Sequence, residues 1–372
     1  MVLLAIVGFL IVIGPLIFIH ELGHYAVGRF FGVKAEVFSI GMGREFAGWT
    51  DKRGTRWKLS VLPIGGYVKF AGDMGPGGIT DPAWQKLPPA EKALTFQSKA
   101  LWQRFLIVAA GPVTNFLLAI AIFAGFFAAF GVPETPAVVR AVLAGTAAEK
   151  AGLQPGDRFV SIAGRDIVRF EDLQHIVSLR PNEAVTVQFM RAGQLRTVEV
   201  ITGAEMREDA FGNASKIGLL GVYPGPKEIV RAGPIRVVEA SVEHTFGIVR
   251  TMIDVIGQIV TGTRSAKELG GPIQIAKYSG QTVSLGPLPL IEFMAMISIN
   301  LGFINLLPIP MLDGGHLLFY LVEGVRRRPL PERAQEWAFR SGLALLLGFM
   351  AFVTINDLGS LGLWQKLAGL IG

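Results

Sequence analysis

The sequence contains no cysteine and few charged residues: of its 372 residues, 17% are charged and 51% are hydrophobic. The missing thiols exclude disulfides and thiolate ligands, so a metal ion would have to be bound by His, Asp or Glu. A mean hydropathy of +0.47 is unusual for a soluble protein. The net charge of +6 is therefore assigned to loops at a membrane surface and not to nucleic-acid binding.

Four segments are apolar enough to cross a bilayer, which takes about 20 mostly apolar residues. Their predicted bounds are about Val2 to Val27, the stretch between Arg104 and Glu134, about Leu288 to Val322, and about Phe339 to Leu361. The first segment is too long for a signal peptide and has no basic start or small-residue cleavage site. It is interpreted as a mature helix.

Basic residues concentrate in two connections between these segments. Residues 32–100 contain ten Lys or Arg, and the short stretch "VRRRPLPER" contains four. Basic short loops favour the cytoplasmic side of a membrane. This pattern predicts that both termini lie outside, together with residues 131–287.

The outer region has two parts. Residues 136–225 alternate short β-like runs with turn signals and contain one helical stretch, "FEDLQHIVSLR", which predicts a compact domain. The next segment places its charged residues on one side of a helix that is otherwise apolar. These residues are Glu239, Glu243, Arg250 and Asp254. A helix on the membrane surface, or against the bundle, is favoured over a span because two of the charges would lie at mid-membrane.

The motif "HELGH" follows the first apolar run and matches H-E-x-x-H. On a helix, His20 and His24 share one face and can bind one Zn²⁺, with Glu21 placed to take a proton from a bound water. The alternative is a pair of helix-end histidines at the membrane interface with no metal.

A catalytic zinc ion needs a third protein ligand and an open position. Asp313 lies in the apolar stretch "INLLPIPMLDGGHLLF", where a charge costs about 2.5–3.5 kcal/mol on insertion scales unless it is compensated. Two neutral histidines holding a zinc ion would compensate it. A helix-end cap beside Gly314 and Gly315 is the alternative for Asp313, and His316 is a weaker candidate for the third ligand.

"HELGH" at the end of a first membrane helix, with "NLLPIPMLDGG" far downstream, resembles the site-2 protease family of intramembrane zinc metalloproteases. The bacterial regulator-of-sigma-E protease branch is the most similar. The likeness extends to "GPVTNFLLA", "LPIGGYVKFAG" and "GGPIQIAKYSG". It implies that His20, His24 and Asp313 bind one Zn²⁺ per chain and that Glu21 is the general base. It also implies an inner-membrane protein with its active site near the cytoplasmic face.

The resemblance further implies substrate-binding residues. Asn305 is expected to engage the substrate backbone, and a helix break at Pro308 and Pro310 is expected to aim Asn305 and Asp313 at the metal. The family's loop forms a membrane-associated β-hairpin that pairs with substrate by strand addition. Its predicted substrate-binding residues here are Gly65, Gly66, Tyr67 and Val68. A plain structural kink and an ordinary surface hairpin remain the alternatives.

The stretch "AGTAAEKAGLQPGDRFVSIAGRDI" resembles the core of a PDZ domain, in which Gly152, Gly156 and Asp157 are expected to shape turns. "IGLLGVY" is predicted to be the carboxylate-binding loop of a circularly permuted PDZ domain. Its predicted peptide-binding residues are Gly218, Leu219, Leu220 and Gly221. The best-known bacterial members carry two such domains. A single one can still act as a size filter against bulky substrates.

The predicted fold is a polytopic α-helical membrane protein with about four transmembrane helices, a membrane-associated β-hairpin and an external PDZ-like α+β domain. Its predicted parts are membrane regions 1–131 and 288–372, the PDZ-like domain 132–225 and a juxtamembrane segment 226–287. The predicted activity is regulated intramembrane proteolysis of single-span proteins. Predicted substrates are an anti-sigma factor already cut by an upstream site-1-type protease and remnant signal peptides. The alternatives are an inactive membrane-anchored PDZ scaffold and a metalloprotease acting on soluble cytoplasmic peptides.

Overall fold

A computed structural model describes residues 2–72, 86–208, 214–262 and 270–360. The predicted end of the fourth membrane helix at Leu361 lies outside them. The chain divides into two compact units. The first comprises residues 1–123, 241–253 and 262–372, and the second comprises residues 124–240 and 254–261.

The described residues form ten helices and twelve strands. The helices are α1 Val2–Phe30, α2 Pro89–Lys92, α3 Leu101–Phe130, α4 Ala147–Lys150, α5 Phe170–Ser178, α6 Pro234–Val260, α7 Pro272–Leu285, α8 Pro287–Leu306, α9 Asp313–Arg326 and α10 Glu332–Ser360. The strands are β1 Ala35–Thr50, β2 Arg56–Phe70, β3 Val132–Glu134, β4 Val139–Val142, β5 Arg158–Ile162, β6 Arg165–Asp166, β7 Ala184–Arg191, β8 Gln194–Ile201, β9 Gly203–Glu208, β10 Ala214–Leu219, β11 Val222–Pro224 and β12 Glu228–Val230.

Four helices of the described chain are long and apolar enough to cross a membrane. They cover Leu3–Phe30, Leu101–Phe130, Pro287–Leu306 and Arg333–Gly359. The third predicted segment is not one helix to Val322, because α8 ends at Leu306 and α9 begins at Asp313. Pro308 and Pro310 lie in the connection, where a missing backbone donor and restricted φ angles end a helix.

Small residues bring the helices of the first unit into close contact. A Cβ at Gly8 of α1 would lie 2.8 Å from the Gly280 nitrogen of α7, and a Cβ at Gly23 would contact Thr114 and Ala110 of α3. Asp357 of α10 is fully buried and accepts hydrogen bonds from the backbone N–H groups of Gly271, Ile273 and Gln274 at the start of α7. Helix α1, which carries "HELGH", therefore packs closely against both α7 and α3.

Strands β1 and β2 form a bent hairpin rather than two straight strands. Residues 37–40 of β1 pair with residues 66–69 of β2 and also with residues 56–59. Each strand must therefore double back, and Gly41, Gly43 and Gly65 have φ angles of 84°, 88° and 71° at these bends. Such positive φ angles favour glycine. Gly65 thus lies in a turn of the chain, as the sequence predicted. Residues 66–70 are called the outer segment of β2, because residues 37–40 lie between them and residues 56–59.

The second unit contains the domain that the sequence predicts to be PDZ-like. A four-stranded sheet in the order β6-β5-β7-β8 packs with α5 around one apolar core, which includes Phe159, Leu173 and Val187. Asp157 is buried and accepts hydrogen bonds from Arg191 and from the Gln154 backbone N–H. It orders a turn, as predicted. The predicted runs "RFVSIAG", "AVTVQFM" and "RTVEVI" form β5, β7 and β8.

Candidate metal centre and active-site cavity

The motif "HELGH" lies on α1, which continues without interruption to Phe30. One helical turn separates His20 and His24, so their imidazoles lie side by side with the two Nε2 atoms 3.2 Å apart. His20 is only 7% exposed and Glu21 only 8%. The helix therefore presents two nitrogen ligands and a carboxylate in a buried setting.

Asp313 begins α9 and reaches the two histidines from far along the chain. Its Oδ2 atom lies 3.1 Å from Nε2 of His20 and 3.5 Å from Nε2 of His24. Within the described residues these three side chains form a group whose ligand atoms lie within 4.8 Å of one another. The structure thus brings together the three residues that the sequence predicted as ligands. His316 is not a member of this group.

The group fits a zinc ion by its spacing and its chemistry. Two ligand atoms at about 2.0–2.1 Å from a tetrahedral zinc ion are about 3.3 Å apart, and the three distances observed are 3.1, 3.2 and 3.5 Å. Asp313 Oδ2 is buried without a hydrogen-bond partner among the described residues. A cation would satisfy this oxygen. Two nitrogens and one oxygen leave a fourth position free for water or substrate.

Helix α3 fixes the orientation of both imidazoles. Nδ1 of His24 lies 2.9 Å from the Ile107 carbonyl oxygen, and Nδ1 of His20 lies 3.0 Å from the Asn115 side-chain amide. Such contacts direct Nε2 toward a metal. Between them, a Cβ at Gly111 would overlap the His24 ring and lie 2.9 Å from Cε1 of His20. The three residues of α3 lie one turn apart on one helix face.

The outer segment of β2 packs directly against Glu21. The Val68 backbone N–H faces the Glu21 carboxylate. A Cβ at Gly66 would lie 2.7 Å from Cγ2 of Ile17 and 3.0 Å from Cγ of Glu21. Only glycine at position 66 allows the strand to approach this closely. The structure therefore places the predicted substrate-binding strand beside the predicted general base.

A cavity of about 550 Å³ contains the metal-binding group. It lies wholly within the first unit. Of the predicted substrate-binding residues, Asn305, Gly65, Gly66, Tyr67 and Val68 line it. Pro308 and Pro310 do not, and Pro308 is exposed. The prolines instead shape the loop, because Pro310 packs closely on Gly315 and Gly342.

Several residues of the site were not predicted from the sequence. Gly111 and Ile107 orient or contact the histidines, and Met311 lines the cavity with an unusual φ of 90°. The spacing of Ile107, Gly111 and Asn115 by four residues is the signal that was available. It predicts a shared helix face, but not what that face contacts.

The predicted carboxylate-binding loop lies in the second unit, at the end of β10. Gly221 has a φ of 85°, Leu220 is buried and Leu219 is 40% exposed. The Leu220 and Gly221 carbonyl oxygens accept hydrogen bonds from the Ala148 and Leu143 backbone N–H groups. No hydrogen bond from the Leu220 or Gly221 N–H to another described residue is formed.

Comparison with known proteins gives matches over nearly the whole chain. The family model described as "Peptidase family M50" matches residues 8–349. A protein of Agrobacterium fabrum named "Putative zinc metalloprotease Atu1380" is 42% identical over 361 residues, covering 96% of both chains. "Putative zinc metalloprotease mll0638" of Mesorhizobium japonicum is 42% identical over 95% of this chain and 98% of its own. "Metalloprotease MmpA" of Caulobacter vibrioides is 35% identical over 99% of this chain and 98% of its own.

Proposed function

Because the chain belongs to peptidase family M50, we propose that it is a zinc metalloprotease that cuts transmembrane segments of single-span membrane proteins. The observation that carries this proposal is the meeting of His20, His24 and Asp313 beside Glu21 in one cavity. His20, Glu21 and His24 lie on one helix that is apolar enough to span a membrane. A hydrolytic centre on such a helix suits a substrate that is itself embedded in lipid.

The chemistry assigned to the site is hydrolysis of a peptide bond. His20, His24 and Asp313 would hold the zinc ion, which lowers the pKa of a bound water toward about 7 and polarises a carbonyl group. Glu21 accepts the proton of the attacking water and delivers it to the leaving nitrogen as the C–N bond breaks. The Val68 N–H is placed to donate a hydrogen bond to the Glu21 carboxylate.

A transmembrane helix hides its peptide groups in internal hydrogen bonds, so part of the substrate must become extended before it can be cut. The outer segment of β2 supports a way to hold it. This segment pairs with β1 on one side and lines the cavity on the other through Gly66, Tyr67 and Val68. We assign it to strand addition with the unwound substrate. Asn305, which also lines the cavity, is assigned to the same substrate backbone.

The membrane topology and the partners belong to the same proposal. The basic connections favour an inner-membrane protein with both termini and the PDZ-like domain in the periplasm and the active site near the cytoplasm. Substrates would be an anti-sigma factor already cut by an upstream site-1-type protease, or remnant signal peptides. The Leu220 and Gly221 N–H groups form no hydrogen bond with another described residue, which supports a role for residues 218–221 in binding a newly formed carboxyl terminus. A domain that binds no peptide would instead act as a size filter against substrates with bulky external parts.

Metal content and cleavage of two substrates together test the proposal. Purified wild type is expected to hold about one zinc per chain and to cut a model anti-sigma transmembrane segment, whereas His20→Ala and Asp313→Ala hold none. Glu21→Gln is expected to retain zinc and lose cleavage. A wild type that cuts only soluble peptides would contradict the proposal and support a metalloprotease of soluble cytoplasmic peptides. A Glu21→Gln protein with full function in cells would contradict it and support an inactive PDZ scaffold.

A further inference from the structure

His316 is a polar residue of the cavity to which neither metal binding nor proton transfer assigns a role. It lies one turn after Asp313 on α9 and lines the same cavity as Glu21 and the metal-binding group. Residues three apart on a helix have Cβ atoms about 5–6 Å apart. The imidazole therefore lies next to the place where a substrate carbonyl group would react.

The ring of His316 has an apolar support but no hydrogen-bond partner among the described residues. It packs against Phe339 of α10, with ring centroids 5.2 Å apart, and Phe319 packs against the same phenyl ring. No hydrogen bond joins either ring nitrogen to another described residue. A half-buried imidazole without a partner loses the hydrogen bonds it had in water. A ligand in the cavity would restore one.

The position of His316 also differs from that of Glu21. Glu21 lies against Gly66 and Val68 of β2, whereas His316 is carried by α9 and backed by α10. The water and its proton acceptor are therefore on the β2 side of the cavity. The His316 N–H, on the α9 side, can therefore contact a different atom of the scissile peptide group.

We propose that His316 donates a hydrogen bond to the scissile carbonyl oxygen as that oxygen gains negative charge in the transition state. Neutral imidazole carries one N–H donor, which is sufficient for this contact. A donor aimed at developing charge in a water-poor site favours the transition state over the bound substrate. This inference rests on the proposed proteolytic function and adds a catalytic residue to it.

The test compares variants that remove the donor in different ways. His316→Phe keeps an aromatic ring against Phe339, His316→Leu provides a second apolar side chain, and His316→Gln keeps an N–H donor. Phe319→Leu is the matched control, because it alters packing on Phe339 and leaves the imidazole in place. Each protein is measured for zinc content, kcat and KM with the model transmembrane segment, and affinity for a phosphinic peptide that mimics the transition state.

Both apolar variants are expected to retain zinc and KM, while kcat and phosphinic-peptide affinity fall by about 10²–10³-fold, as for loss of one oxyanion donor. His316→Gln should recover part of the lost kcat because it keeps an N–H donor, and Phe319→Leu should match wild type. An unchanged kcat in a zinc-loaded His316→Phe or His316→Leu protein overturns this inference but leaves the proposed function intact. Loss of zinc in these variants also overturns it, because His316 would then be a metal ligand. A zinc-loaded wild type that cuts no substrate overturns the proposed function as well.

Discussion

The side-chain amide of Asn115 lies 3.0 Å from Nδ1 of His20, although 95 residues separate the two in the chain. Asn115 is fully buried, and its Oδ1 atom has no hydrogen-bond partner among the described residues. When Nε2 of His20 binds a metal ion, Nδ1 carries a proton and must donate it. We expect the Asn115 amide to rotate in that state, so that Oδ1 accepts a hydrogen bond from the His20 ring and is no longer unpaired.

We expect Asn115→Leu to weaken zinc binding by about 10–100-fold, the usual effect of losing a residue that orients a histidine ligand. Asn115→Asp keeps an acceptor at the same position and should remain close to wild type. Competition with a chelator of known zinc affinity measures both variants without a substrate. Equal zinc affinity in Asn115→Leu and wild type would mean that Asn115 only packs α3 against its neighbours.

Gly111 is the second position of α3 at which the site can be tested. A Cβ there would overlap the His24 imidazole, so Gly111→Ala is expected to displace a ligand and lower the zinc content of the folded protein. Gly125→Ala is the matched control, because a Cβ on Gly125 of the same helix meets nothing within 4 Å. That change should leave zinc bound and raise helix stability by about 0.5–1 kcal/mol. Zinc bound normally by Gly111→Ala would argue against the observed packing.

Gly66→Ala tests the contact between β2 and Glu21. The added Cβ would meet Ile17, the Ser39 carbonyl and Glu21, so the outer segment must shift away from the general base. A displacement of about 1 Å costs about 100-fold in rate, and kcat should fall by roughly this factor while zinc content stays constant. Gly14→Ala on α1 is the control, since a Cβ there meets nothing within 4 Å. A wild-type kcat in Gly66→Ala would show that catalysis does not depend on the close contact between β2 and Glu21.

Much of this site follows from local sequence patterns. The four-residue spacing of His20 and His24 fixes their shared helix face, and the two prolines predict the break before Asp313. The apolar runs predict the membrane helices, although the third one ends sixteen residues earlier than Val322 because α8 stops at Leu306. These features depend on neighbouring residues alone.

The rest depends on contacts between distant parts of the chain. Nothing in "GPVTNF" states that Gly111 packs on two imidazoles of α1 or that Asn115 contacts His20. The bends in β1 and β2 likewise depend on which residues pair across the hairpin, since a β-strand register is set by the partner and by turn geometry. Pro308 and Pro310 break the helix before Asp313, as predicted, but they do not line the cavity.

Met311 offers a test of how that loop is held. It precedes Asp313 by two residues and has a φ of 90°, a left-handed conformation that costs a residue other than glycine about 1–3 kcal/mol. Met311→Gly should therefore raise the free energy of unfolding by about 1 kcal/mol relative to Met311→Ala, which retains the strain. If the strained loop also aims Asp313, the glycine variant will bind zinc more weakly despite its greater stability. Thermal unfolding of the metal-free proteins in detergent, followed by zinc titration, measures the two effects separately. Equal stability of the glycine and alanine variants would show that the loop stores no strain at this residue.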